Sequence, residues 1–144
     1  MKRPLVVKFG TSLLVGARAQ VRRQVLRERA REIAAIVGDG TPVCVVSSGA
    51  IALGLPRLGL ERRPRSMPKL QAASALGQAR LQGAWEDALA AEGVAGAQVL
   101  LTAVDVADRT TYVNARNALT ALFALNAVPI VNENDATATD EISF

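Results

Sequence analysis

Three short segments hold the side chains able to do chemistry. Lys8-Phe9-Gly10-Thr11-Ser12 sets an ammonium beside a glycine at the end of an apolar run. An ammonium is costly to bury unless it meets an anion. A glycine lets backbone N–H groups approach a ligand closely, so the pair suits a phosphate; the alternative is an edge-strand lysine that reaches solvent. Ser47-Ser48-Gly49-Ala50 brings hydroxyls to a point where a strand turns into a helix, and the free N–H groups of a helix start attract anions. Plain capping by serine is the commoner role of such a segment. Asn132-Glu133-Asn134-Asp135 gathers carboxylate and amide oxygens that suit recognition of an amine, or it forms a polar turn.

Other chemistries are removed by what the chain lacks. It contains no histidine, which excludes Ser-His-Asp and Cys-His nucleophiles, histidine bases and histidine-ligated metal sites. Ser48 therefore has no base to activate it, and the Gly-x-Ser-x-Gly pattern is absent. Neither Gly-x-x-x-x-Gly-Lys-Ser/Thr nor Gly-x-Gly-x-x-Gly occurs. Cys44 is the sole cysteine, so there is no internal disulfide, and its place in the middle of an apolar run reads as an inert core thiol.

The elements that must position the three segments follow from periodicity. Leu5–Phe9, Pro42–Val46, Val99–Leu101 and Val128–Val131 read as buried strands. Apolar residues at helical spacing predict a helix over Val21–Val37 ended by Gly38 and Gly40. Further helices are expected from Ala50, over Leu70–Ala91, and over Thr111–Leu125 with Thr110 or Thr111 as N-cap. Thr11–Gln20 reads as a loop, and Leu55–Pro68, with its prolines and arginines, as a loop or broken helix. Strands that alternate with helices and are apolar throughout imply an α/β fold with a mostly parallel sheet sandwiched by helices. Ligands gather outside the carboxyl ends of such strands, where all three polar segments fall.

The chain has 144 residues, one domain's worth, able to bury about 70% of its unfolded surface. Half of it is hydrophobic. No apolar run approaches the roughly 18 residues of a membrane span, and the start lacks a signal-peptide pattern. Net charge is +4. Six arginines (Arg18, Arg22, Arg23, Arg27, Arg29, Arg31) cluster with Glu28 and Glu32 between them, which reads as a solvated helix face. Aromatics are only 3%, too few for a stacking platform, so no nucleic-acid partner is expected. Arg29 alone falls on the apolar stripe, and it is expected to snorkel to the rim or pair with a carboxylate.

Val-Val-Lys-Phe-Gly-Thr-Ser at 6–12, Val-Ser-Ser-Gly-Ala-Ile-Ala at 46–52 and Pro-Ile-Val-Asn-Glu-Asn-Asp at 129–135 resemble the glutamate 5-kinases of the amino-acid kinase family. Lys69–Ala73, Gly77–Leu81, Gln98–Thr102, Asp108-Arg109 and Tyr112–Arg116 fit the same pattern. The resemblance runs in order over nearly the whole chain.

It implies an α/β/α fold and transfer of the ATP γ-phosphoryl group, with Mg2+, to the side-chain carboxylate of L-glutamate, the first step toward proline. By resemblance Lys8 is the catalytic lysine that holds the phosphoryl group, and Lys8, Gly10 and Thr11 bind phosphate. Ser48, Gly49, Ala50, Asn132, Asn134 and Asp135 bind the substrate, and no residue is assigned to a metal. A cytoplasmic homo-oligomer with proline as feedback inhibitor is the family expectation. In the family a Gly-Asp-Asn-Asp segment and most of the nucleotide pocket would follow Phe144. Residues 1–144 are thus expected to be the amino-terminal, substrate-side portion, with the fold incomplete at its carboxyl-terminal side, the nucleotide-binding half absent, and little turnover by themselves. Alternatives are another amino-acid kinase, such as an acetylglutamate or uridylate kinase, or a non-catalytic glutamate- or proline-binding or oligomerisation fragment. Leu53 stands where the family more often has a small residue, which bears on local packing.

Overall fold

The computed structural model describes residues 1–60, 62–101 and 107–132. In chain order the elements are β1 (Leu5–Phe9), α1 (Thr11–Leu14), α2 (Arg23–Gly38), β2 (Val43–Ser47), α3 (Ala50–Gly54), a 3-10 turn (Leu55–Leu58), α4 (Met67–Ala90), β3 (Gly96–Val99), α5 (Arg109–Ala124) and β4 (Val128–Asn132). The four strands form one parallel sheet in the order β1-β2-β4-β3.

The crossovers β1-α2-β2 and β2-α4-β3 run across this order in one direction, and β3-α5-β4 runs back. Right-handed crossovers therefore place α2 and α4 on one face of the sheet and α5 on the other. The main core lies on the first face. Phe9, Val43, Val45, Val128 and Ile130 of the sheet meet Leu26, Ile33, Leu81, Trp85 and Leu89 of the two helices there. Helix α5 packs against β4 yet contributes no residue to that core. The sheet is thus sandwiched as the alternation of elements implies, with unequal layers.

Where the structure departs from the periodicity, a neighbour decides. Thr11–Gln20 is not a simple loop. Its first residues make the single turn α1, and Val15 then pairs with Val21 in an antiparallel bridge. That bridge holds Val21 out of the helix, so α2 begins at Arg23. The third strand lies earlier than expected. It covers Gly96–Val99 because it pairs only with Val128–Val131 of β4, and Leu100 beyond it is 74% exposed. The N-cap of α5 is Asp108 rather than Thr110 or Thr111; its carboxylate accepts from the Thr111 N–H at 2.9 Å and the Thr111 hydroxyl at 2.7 Å. Arg29 does reach carboxylates at the rim, 3.3 Å from Glu32 and 3.7 Å from Glu28.

The α3–α4 contact is set by two glycines. A Cβ on Gly77 would land inside the Ala50 carbonyl, and one on Gly54 inside the Ala73 carbonyl. The backbones touch directly at both points, so α3 is held rigidly against α4. Leu53, between them, is fully buried in the main core. The larger side chain at this position is accommodated inward, and its carbonyl accepts from Arg80 at 3.3 Å.

Candidate active site

The strand register brings the three polar segments to one edge. Phe9 pairs with Ser47, and Ser47 pairs with Asn132. The last residues of β1, β2 and β4 thus form a single row at the carboxyl edge of three adjacent strands. Apolar strands between helices fix this placement, because their hydrophobic residues specify which face is buried and so which residues end together.

The first and second segments are joined by side chains. The Thr11 and Ser48 hydroxyls lie 3.1 Å apart. The Ser48 N–H donates to the Phe9 carbonyl at 3.1 Å, and its hydroxyl lies 3.4 Å from the same oxygen. Ser48 is buried, while Thr11 is half-buried. No histidine or carboxylate hydrogen-bonds this hydroxyl among the described residues; its neighbours there are the Thr11 hydroxyl and the Phe9 carbonyl. Ser47 plays a different part, missed by pattern reading: its hydroxyl accepts from the Trp85 indole N–H at 3.0 Å. The Trp85 ring also packs on Phe9, with centroids 5.1 Å apart. One indole on α4 therefore locks the ends of β1 and β2 together. The only signal in the sequence is a lone tryptophan in an alanine-rich helix, and its partner lies 38 residues away.

The glycines divide into two kinds. Gly49 has φ +121, and a Cβ there would stand 2.9 Å from a Val15 methyl. The turn into α3 requires glycine on backbone grounds. Gly10 has φ −78, and nothing lies within 4 Å of a Cβ built on it. The fold does not demand glycine there; the space above it is open at the edge of the site. Ala50 is buried as the first residue of α3, where backbone N–H groups have no intrahelical partner.

Lys8 is exposed, on the edge strand β1. The desolvation argument for an anionic partner therefore does not hold at this lysine. Strand alternation points its side chain to the face opposite Phe9, at the same edge as the Thr11–Ser48 pair. Asn132 ends β4 half-buried, with its carbonyl Oδ1 buried and without a hydrogen-bond partner among the described residues. Asn134 and Asp135 lie outside the described residues. No group of three His, Cys, Asp or Glu residues that would hold a metal exists among the described residues. Among those residues, too, no helix is long and apolar enough to cross a membrane. Cys44 is buried on β2, and burial pushes its thiol pKa up, which fits an inert core thiol.

What can this edge do? It offers hydroxyls, helix-start N–H groups, an open glycine, a nearby ammonium and an unfilled amide, all without a nucleophile. That is an arrangement for holding anions and polar groups in position.

The chain is similar to known proteins over nearly its whole length. It is 49% identical over 142 residues to the glutamate 5-kinase of Aromatoleum aromaticum, covering 99% of this chain and 38% of that protein. It is also 49% identical over 140 residues to the glutamate 5-kinase of Thermus thermophilus, covering 97% of this chain and again 38% of the relative. The chain thus spans well under half the length of the curated relatives it matches. Among solved structures, that of a T. acidophilum isopentenyl phosphate kinase product complex superposes with a TM-score of 0.59 at 18% identity, over 92% of this chain and 58% of that one. That likeness bears on the fold. The model of the amino acid kinase family matches residues 3–144, and with the parallel sheet and its polar carboxyl edge in place, the chain belongs to the amino acid kinase family.

Proposed function

We propose that residues 1–144 make up the acceptor-side portion of an ATP-dependent kinase that phosphorylates the side-chain carboxylate of L-glutamate. The observation that carries this reading is the single row Phe9–Ser47–Asn132, which collects the Lys8–Thr11, Ser48–Ala50 and Asn132 segments at one edge. The 49% identity to glutamate 5-kinases supports the choice of substrate.

Carboxylate phosphorylation needs no protein nucleophile. It needs two anions brought together and the charge of the transition state offset. ATP supplies the phosphoryl group, and Mg2+ when bound neutralises phosphate charge. In this reading Lys8 directs its ammonium at the transferring phosphoryl oxygens, reaching over the edge from the outer face. Gly10 leaves room for a phosphate, and Thr11 holds it by a hydroxyl hydrogen bond. Ser48, Gly49 and Ala50 meet the acceptor carboxylate with a hydroxyl and N–H groups. Asn132, Asn134 and Asp135 orient its amine-bearing end. A cytoplasmic homo-oligomer inhibited by proline completes the reading.

The test is ADP release from MgATP with and without L-glutamate, with hydroxylamine present to trap an acyl phosphate as a hydroxamate. Glutamate-dependent ADP and an equal yield of hydroxamate are expected from the full-length protein. ADP release without hydroxamate, or a preference for another acceptor, overturns the reading.

A further inference from the structure

Helix α4 carries buried polar atoms that find no hydrogen-bond partner among the described residues. Gln82 is 5% exposed, and both its amide oxygen and its amide nitrogen are buried without a hydrogen-bond partner among the described residues. Gln78, one turn earlier, has its amide oxygen in the same state, and so does Asn132 at the end of β4. A buried amide without partners is unfavourable, and this one sits where an apolar side chain would pack at no such cost.

These atoms converge on the candidate active site. Val128 and Ile130 of β4 belong to the core under α4, and strand alternation puts Asn132 on that same face. A Cβ on Gly96 would lie 3.6 Å from the Glu86 Cα, so Glu86 rides above Gly96, which is level with Val128 of β4. Helix α4 runs antiparallel to the strands. One helical turn back, about 5.4 Å, leads to Gln82, and two strand residues on, about 6.6 Å, leads to Ile130; a long helical side chain leans toward the helix start, which carries the Gln82 amide on toward Asn132. Gln82 thus faces the Ile130–Asn132 end of β4, and Gln78 lies one turn nearer the carboxyl edge. The stretch is bracketed by the two contacts α4 makes with the second segment, Gly77 on the Ala50 carbonyl and Trp85 on the Ser47 hydroxyl.

We propose that Gln82, with Gln78, is a specificity-determining part of the acceptor site, reading the α-amino-acid end of the substrate. This rests on the acceptor reading above. The unused set is three acceptors (Gln78 Oε1, Gln82 Oε1, Asn132 Oδ1) and one donor (Gln82 Nε2). An ammonium beside a carboxylate matches that set, whereas a plain dicarboxylate supplies acceptors where acceptors already stand.

Calorimetric titration of the full-length protein with L-glutamate and with glutarate, which lacks the amino group, tests this. Gln82→Met keeps the shape and removes the hydrogen bonds. It is expected to weaken L-glutamate at least tenfold, to weaken glutarate, which keeps the carboxylate but not the ammonium, by a clearly smaller factor, and to leave the ligand-free melting temperature unchanged or higher. Gln78→Met, at a half-buried position, should weaken L-glutamate in the same sense by a smaller factor. If wild type binds L-glutamate and both variants bind it within twofold of wild type, the amides are structural only and the inference fails. If wild type does not bind L-glutamate, the acceptor reading itself fails and takes this assignment with it.

Discussion

Lys8 and Asp108 show how far a single side chain can be argued. Lys8 is exposed on an edge strand, so its removal deprives the core of nothing. Lys8→Met is expected to lower glutamate-dependent turnover by roughly 100-fold or more, as loss of a group that stabilises transition-state charge does, while the circular-dichroism melting temperature moves little. A large drop in melting temperature would make it a structural lysine. Asp108 is a solvent-exposed cap. The backbone N–H of Thr111, and then its hydroxyl, hold the Asp108 carboxyl below its ordinary pKa. Because the folded pKa is depressed, the cap's contribution is complete above the unfolded carboxyl pKa and is lost as pH falls through the folded value. Asp108→Asn keeps an acceptor but no titration. The difference in melting temperature between wild type and this variant should therefore shrink on acidification below the normal carboxylate range.

At the scale of elements, α4 organises the site. It presses Gly77 on Ala50, sends the Trp85 indole to Ser47 and carries Gln78 and Gln82. Its glycines predict opposite outcomes for the same substitution. Gly77→Ala drives a methyl into the Ala50 carbonyl, backbone against backbone, and should destabilise by about 3 kcal/mol. Gly83→Ala, with nothing within 4 Å of the added Cβ, should stabilise by about 0.5–1 kcal/mol through helix propensity alone. Urea unfolding of the two variants checks both signs. Pattern reading located this helix within three residues at its start and one at its end. It could not separate the two glycines, since both stand in equally alanine-rich surroundings.

For the molecule as a whole, site and core are one unit. Trp85, the single tryptophan, is fully buried, packs on Phe9 at the end of β1 and donates to Ser47 at the end of β2. Its fluorescence should be blue-shifted in the native state and should move to longer wavelength in one transition with the helix signal during urea unfolding. A tryptophan transition that precedes loss of helix would mean that the carboxyl edge opens separately from the core.

The sequence by itself determined the alternation of apolar strands and helices, and with it the parallel α/β sandwich. It also determined that three polar segments follow strands, and its motifs named the family. These properties are local, set by periodicity and by residue types within a few positions of one another. Only the tertiary structure decided that Phe9, Ser47 and Asn132 stand in one row, because strand order and register depend on partners far away in the chain. It alone showed Lys8 exposed rather than buried, since a strand's place at the edge or centre of a sheet leaves no mark in five residues. It alone distinguished Gly49, required by a positive φ, from Gly10, which faces open space. The unfilled amides of Gln78 and Gln82 belong to the same class: whether a polar atom on a helix finds a partner depends on what packs over it.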